Sequence, residues 1–558
     1  MTTTHARGAG APARQTVEQS KANGEKLVLA HVYTATLVLG LGALFGMLQG
    51  FSRANFIVMP PWFDYYRMLT AHGVLMALVF TTFFITGLFT YCTYAAIPRV
   101  RSTTINWIGY FVMLLGTVMA TIAILDGSAS VLYTFYAPLK ASPLFYFGAT
   151  FLIAGTWFIL IDIIMNVAWF KKQNPTLRIP LPAFMATTTM VMWFIATLGV
   201  VAEMLILIPW SLGITPGVDV TLTRMLLWYF GHPLVYFWIM GAYTIWYAFV
   251  PTTYKGAIFS DSLTRVAFIM LLLLSTPVGL HHQYLDPGIS SGWKFLHTVI
   301  TYGVIIPSLM TAFAIFASFE IAARKAGVKG FLNIVRWLPW KDPAFAGPGC
   351  GMLLFIFGGF GGVVNNSYSM DVLVHNTMWI VGHFHITVGG PVALTFVGAA
   401  YRLIPALRQQ KLFAPKLALA SIYLWFGGMV VMSTAMHWAG LLGAPRRTSD
   451  VAYAGAAAVA MWHPFMVWAA IGGTIIAIGV LMFVIVATGT FLRNVKDPNP
   501  ATFTFAPVDE NAGPTPAALD KIGQWGVVAI VAALLSYAGP IVQQISAHAY
   551  LAPGMRTW

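Results

Sequence analysis

The sequence predicts an all-α polytopic membrane protein of about 13 transmembrane helices, and three observations carry that prediction. Of the 558 residues 58% are hydrophobic and only 9% are charged, with a mean hydropathy of +0.76, whereas soluble domains carry roughly 25% charged residues. Apolar stretches of 18 or more residues, each long enough to cross a bilayer as a helix, recur near 27–51, 69–95, 105–125, 144–170, 184–211, 221–251, 264–284, 295–322, 347–366, 374–403, 415–441, 462–492 and 522–547. The lysines and arginines between these stretches alternate strongly: with the N-terminus cytoplasmic, 23 of the 31 fall on the inner side, among them Arg99 and Arg101. That bias predicts N-terminus in and C-terminus out.

The elements divide the chain into a polar, disordered cytoplasmic tail (1–26), a membrane domain (27–547) and an outer C-terminal tail (548–558). The tail has no apolar core of the kind a cleaved signal needs. The stretches 324–346 and 494–520 are too short for a second domain, and no internal repeat is apparent. The net charge of +14 follows from the topology bias and from attraction to anionic inner-leaflet lipid, so membrane lipid is an expected partner and nucleic acid is not. Cys92 and Cys350 are far apart and make no ligand set, which assigns them to packing and puts any thiolate-bound metal on another subunit.

Six histidines inside these apolar stretches point to function: His72, His232, His281, His282, His383 and His385. Imidazole within a membrane is costly unless something binds it, and six together suggest metal. His383 and His385 are two residues apart, about 200° around a helix, so one helix would serve two prosthetic groups from opposite faces. If His385 binds haem iron, His72 in the second stretch is at a suitable depth to be its opposite ligand, with Gly73 letting a flat macrocycle approach. Such an iron is saturated and carries electrons. His383 has no seventh histidine of similar depth to pair with, so its iron would keep an open position.

His232, His281 and His282 suit a copper ion, with zinc the competing metal. Neighbours on a regular helix point about 100° apart, so His281 and His282 can share an ion only if the helix is disturbed there, and Pro277 and Gly279 just upstream predict that it is. Pro233 disturbs the sixth stretch next to His232. Tyr236, four residues beyond His232, lies on the same face and can supply the electron and proton that O–O cleavage requires.

His-Pro-x-x-Tyr at 232–236, His-His at 281–282, His-x-His at 383–385 and His72 in its own span together resemble subunit I of the haem-copper oxygen reductases, over essentially all of 27–547. The resemblance implies a haem-copper oxidase subunit I bundle, with a low-spin haem of b type on His72 and His385, a high-spin haem of a or o type on His383, and copper (CuB) on His232, His281 and His282. It further implies a covalent Tyr236–His232 link and reduction of dioxygen to water coupled to proton pumping, in a bacterial or archaeal plasma membrane. Expected partners are a subunit II carrying a dinuclear copper (CuA) domain, a cytochrome c-type donor, dioxygen and a small accessory subunit.

Leu234 stands where mitochondrial-type enzymes have a channel-ending glutamate. A different proton route is therefore expected, and Tyr236, Tyr243 and Tyr247 form one stripe, with Thr301, Ser308 and Thr311 as a second on the eighth span. This is similar to the single channel of the B family, the ba-type oxidases, which a thirteenth span also suits. On the outer side Arg446 and Arg447 are expected to pair with haem propionates, with Asp371 and His375 completing that region as an exit-side proton site. Asp162 and Glu203 are intramembrane acids that require partners. A nitric oxide reductase and a transporter with structural histidines are the alternative classes.

Overall fold

In a computed structural model, which describes residues 11–98, 100, 102–493, 495–547 and 551–557, thirteen helical spans match the apolar stretches one for one. They are Lys21–Arg53, Pro61–Ala96, Thr104–Leu125, Pro143–Gln173, Leu181–Ser211, Val220–Thr253, Asp261–Gln283, Ser291–Lys325, Pro343–Asn366, Met378–Arg408, Pro415–Leu441, Val459–Leu492 and Ile522–Ser546. Short connections make consecutive spans antiparallel, and the twelfth returns to pack on the first. The thirteenth lies against the fifth, sixth, seventh and eighth.

The arrangement has a centre and a rim. In the sixth span 89% of the most apolar stretch is buried, but in the eighth only 28%, so the span with His232 and Tyr236 is ringed by helices while the eighth shows most of its surface to lipid. The apolar side chains facing outward there, such as Phe295, Leu309 and Phe313, need no further explanation in a bilayer.

The ends of the chain differ from the sequence expectation. The first helix begins at Ala11, so residues 11–26 are not a disordered tail but extend the first span. Residues 1–10 lie outside the described residues, as do Arg99 and Arg101 of the charge count and residues 548–550 of the outer tail. The remainder of that tail is ordered against its own side of the protein: Met555 and Arg556 pair in parallel with Leu139 and Lys140, and Ala552 bridges Val218.

Both cysteines are buried and free, as packing residues should be. Asp162 finds its partners in Tyr94, whose hydroxyl donates at 2.6 Å, and Asn106, whose amide donates at 3.3 Å. Glu203 is fully buried, and neither carboxyl oxygen has a hydrogen-bond partner among the described residues.

One buried cation closes the face that carries Lys171 and Arg178. Arg265, at the start of the seventh span, donates to Asp261 (2.7 Å), to Asp520 ahead of the thirteenth span (3.0 Å) and to the Ile179 carbonyl ahead of the fifth (2.7 Å). Removing one side of a buried ion pair leaves the other charge uncompensated at about 3–5 kcal/mol. Arg265→Ala should therefore destabilise the purified protein by roughly 3 kcal/mol, read as a lowered thermal transition, whereas Arg324→Ala, which removes an exposed Glu320 pair, should leave it unchanged.

Candidate metal and haem centre

The histidines meet around one internal cavity of about 710 Å³. All six line it, together with Tyr236, Thr301, Ser308, Asp371, His375, Arg446 and Arg447.

His232, His281 and His282 each offer a ring nitrogen within 4.8 Å of the other two. The seventh span makes this possible by breaking: its α-helix ends at Ser275 and the two histidines lie in a separate 3-10 turn, Leu280–Gln283, as Pro277 and Gly279 predicted. His232 Nδ1 and His282 Nε2 are 3.2 Å apart. A first-row ion about 2.0 Å from each nitrogen would see them about 106° apart, close to tetrahedral. Thr301 donates to the His297 carbonyl at 2.6 Å, so the 3.2 Å contact between its hydroxyl and His281 Nδ1 is donated by the imidazole, leaving Nε2 as the ligand atom. Trp228 stacks on His282 at 3.9 Å and 10°. This tryptophan, four residues before His232, was legible only as one of many aromatics.

His72 and His385 face each other with ring centroids 6.1 Å apart and planes 9° from parallel. That is too far for stacking contact, but it fits one metal ion between them, with about 2.0 Å from ion to nitrogen and about 1.1 Å from nitrogen to ring centre on each side. Both Nδ1 atoms are engaged: His72 donates to the Gly42 carbonyl and His385 to Val381, each at 2.8 Å. This leaves Nε2 of each ring unprotonated, the arrangement that metal-binding histidines adopt. Gly73 lines the cavity beside His72, and Gly46 of the first span is a second close approach, where an added Cβ would lie 2.6 Å from the His72 ring.

His383 turns away from that pair towards the ninth span, where a Cβ on Gly361 would lie 2.5 Å from its Nδ1. The helix changes between the two histidines, from α over Met378–Phe384 to π over His385–Val392. A further histidine is nearby: His437 of the eleventh span sits against Gly382, edge-on to Trp379 at 4.5 Å, but it is not among the residues that line the cavity with His383. The His437 Nδ1 donates to Ser433 at 2.6 Å. His31 and His297 are also buried in spans; alone in their helices, they gave no spacing signal.

Arg446 and Arg447 lie on the cavity wall in the connection between the eleventh and twelfth spans. Arg446 donates twice to Asn376 Oδ1, at 2.7 and 3.1 Å, and Arg447 lies over the Tyr133 and Tyr136 rings at 5.7 and 5.6 Å. Neither is in an ion pair with a carboxylate among the described residues. Burial, and then the neighbouring Arg447, push the Arg446 guanidinium down to about 10, so it remains a cation at neutral pH. Two unneutralised cations side by side are a site for an anion. Beside them, Asp371 and His375 are joined at 2.8 Å through Oδ2 and Nδ1.

The two hydroxyl stripes face each other. Tyr243 lies across from Ser308, and Tyr247 from Thr311 and from Thr264 of the seventh span, which sequence spacing did not single out. Ser308 and Thr311 donate to the carbonyls four residues back, at 3.2 and 2.9 Å, so their oxygens are free only to accept. The Tyr243 and Tyr247 hydroxyls have no direct hydrogen bond among the described residues. Thr301 belongs to the His281 contact and not to the tyrosine stripe.

Fold and site together define a membrane-embedded protein with a facing pair of buried imidazoles beside a three-imidazole cluster able to hold a metal ion. A family model described as "Cytochrome C and Quinol oxidase polypeptide I" matches residues 26–475. Cytochrome c oxidase subunit 1 of Thermus thermophilus is 39% identical over 552 residues, covering 96% of this chain and 97% of that one. The heme-copper oxidase subunit I+III of Aeropyrum pernix is 26% identical over 66% of this chain and 45% of that one. A heme-copper terminal oxidase dimer solved by cryo-EM superposes with a TM-score of 0.91 at 34% identity, over 96% of this chain and 95% of that one. The chain belongs to the haem-copper oxidase subunit I family. It is thus a multi-pass plasma-membrane oxidoreductase of the cytochrome c oxidase type, which reduces dioxygen to water, binds haems and CuB, and works with a subunit II and a cytochrome c or quinol donor. The transporter reading falls away, and the named relatives are oxidases.

A residue that sequence reading counted only as an outer charge holds the arginine loop in place. Arg53, at the end of the first span and 6% exposed, donates to the carbonyls of Thr448 (2.5 Å) and Pro445 (2.9 Å) and to the Tyr453 hydroxyl (3.0 Å). Hydrogen bonds from a charged group contribute about 1.5–3 kcal/mol each. Arg53→Ala should cost about 3 kcal/mol in a thermal unfolding measurement and should loosen residues 445–453 in hydrogen exchange before any other outer segment.

Proposed function

We propose that His72 and His385 hold the low-spin haem, of b type, from its two sides, that His383 alone holds the high-spin haem, of a or o type, and that His232, His281 and His282 hold CuB. The observation that carries this reading is the pair of Nδ1-to-carbonyl bonds at His72 and His385, which leaves an unprotonated Nε2 on each of two nearly parallel rings 6.1 Å apart. When bound, these groups supply dioxygen binding and the electrons for its reduction. The chain's own residues orient them and deliver protons.

Tyr236 stands edge-on to His232, ring centroids 4.9 Å apart, and keeps its proton on the phenolic oxygen until the reaction takes it. His232 Nε2 is buried without a partner, which leaves that nitrogen for the covalent link to Tyr236 that the family resemblance implies. Protons replacing the one lost pass from the cytoplasm along Thr311 and Tyr247, then Ser308 and Tyr243, with single waters bridging the gaps. Leu234 cannot titrate, so a second route ending beside the metals is not supported, which favours the ba-type, or B-family, branch. Arg446 and Arg447 bind the haem propionates, and the Asp371–His375 pair takes protons on the exit side. The lysine and arginine bias supports a cytoplasmic N-terminus and an outer C-terminus. A subunit II with a CuA domain, docked on the outer face near Arg446 and Arg447, relays electrons from a cytochrome c-type donor, since this chain has only two separate cysteines. A small accessory subunit completes the complex.

Haem assignment is tested by optical spectra. His383→Ala should remove the high-spin signal and spare the low-spin one, and His72→Ala should do the reverse; loss of both signals from each folded variant would overturn the division. Haem type is read from the extracted pigments.

Proton delivery separates from metal binding in a second pair. Removing a positioned proton donor costs about 10²–10⁴ in rate, so Tyr236→Phe should lower turnover by at least about 100-fold with haems and copper retained. Thr311→Val should slow only the proton-coupled steps in stopped-flow mixing with oxygen. Wild-type turnover in Thr311→Val, Ser308→Ala and Tyr247→Phe together would mean that protons enter elsewhere.

A further inference from the structure

The unwound turn that brings His281 and His282 together has a cost inside a membrane. Between Ser275, where the α-helix of the seventh span ends, and Leu280, where the 3-10 turn begins, backbone groups lose their helical partners, and no bulk water is present to replace them. They are met by a relay from two other spans. His297 of the eighth span is fully buried, and its Nδ1 accepts from the backbone N–H groups of both Gly279 (3.1 Å) and Leu280 (3.3 Å). An Nδ1 that accepts carries no proton, so the proton is on Nε2, which lies 2.8 Å from Ser536 Oγ of the thirteenth span. Ser536 in turn donates to the Pro277 carbonyl at 2.5 Å. Two orphaned donors and one acceptor of the broken segment are thus satisfied by one imidazole and one hydroxyl with a single consistent set of protons.

The same face of the eighth span reaches the ligand as well. Thr301, one turn beyond His297, accepts from His281 Nδ1. Tyr537, next to Ser536, lies edge-on to His297 at 4.9 Å and directly against Gly279, where a side chain would collide with its hydroxyl and with the Trp228 carbonyl.

We propose that His297 and Ser536 are positioning residues of the copper centre, and that the thirteenth span acts through them to set the angle at which His281 and His282 are presented. This rests on the reading of His232, His281 and His282 as the copper ligands. Pro277 and Gly279 break the helix, and without the relay the broken backbone would shift to satisfy its unmet groups, moving the two imidazoles out of the arrangement in which they can share one ion. Outer-shell partners of this kind are worth about 10–100-fold in metal affinity.

The test uses the holoenzyme complex, with copper affinity measured by chelator competition and copper content referred to the low-spin haem spectrum as an internal measure of folded protein. A second readout is the stretching frequency of carbon monoxide transferred to copper by low-temperature photolysis. His297→Leu should weaken copper binding by about 10–100-fold and shift or broaden that band. His297→Gln, whose amide can accept from the turn and donate to Ser536, should restore most of the affinity. Ser536→Ala, a milder change that serves if His297→Leu does not fold, should shift the band in the same direction. His282→Ala is the control. Copper retained in that control overturns the ligand assignment and this inference with it. Copper lost in the control but bound with wild-type affinity and an unshifted band in folded Ser536→Ala and His297→Leu overturns the inference alone.

Discussion

A nitrogen or oxygen in the bilayer interior has no bulk water to bind, and most of this structure follows from that constraint. Continuous helices satisfy their own backbone, which is why the spans are long and the connections short. Imidazoles cannot do so alone. His72 and His385 each commit one nitrogen to a carbonyl, of Gly42 and Val381, and each keeps the other for a ligand. Where the chain must depart from helix, as between Ser275 and Leu280, side chains of other spans make up the missing bonds. The functional centre is thus the place where the membrane's demand for satisfied polar groups is met by metals and by neighbouring helices together.

Charge is handled differently, by removing it to the two faces. Arg265 ties the entries of the fifth, seventh and thirteenth spans together through Asp261, Asp520 and Ile179. Arg53 holds the 445–453 connection from the first span. Both buried guanidinium groups make several hydrogen bonds, three from Arg53 and four from Arg265. Arg446 and Arg447 are the contrast, because their neighbours are an asparagine and two tyrosine rings and not carboxylates. An unneutralised pair of cations at the edge of a cavity is what carboxylate-bearing prosthetic groups need. The clamps tie spans to one another, whereas the Arg446–Arg447 pair keeps its charge without a carboxylate partner among the described residues.

The proton stripes show a similar division of labour. Serine and threonine hydroxyls in membrane helices ordinarily return their proton to a carbonyl one turn back, and Ser308 and Thr311 do so. What distinguishes them is the phenol opposite each, Tyr243 and Tyr247, which has no direct partner of its own. Each phenol belongs to the sixth span and each aliphatic hydroxyl to the eighth, so continuity between the rows depends on both helices being held at a fixed distance. The eighth span, largely exposed to lipid, is held there through His297 to Ser536, Thr301 to His281, and Asn366, whose amide donates to the Thr298 carbonyl.

By itself the sequence determined the span number and nearly every boundary, because apolar length is the whole requirement for crossing a bilayer. It also determined the six principal histidines and Tyr236, because their spacing on helices is a local property, and the break before His281, because Pro277 and Gly279 mark it locally. Only the tertiary structure decided what lies across from each of them. It placed Gly46 of the first span against the His72 ring and His437 against Gly382, extended the first helix back to Ala11, and revealed Arg53, Thr264, His297 and Ser536 as supports around the site. None of these has a periodic signature, since each acts on a residue in another span, and a single residue's partner across a bundle is set by how helices pack rather than by its neighbours in the chain.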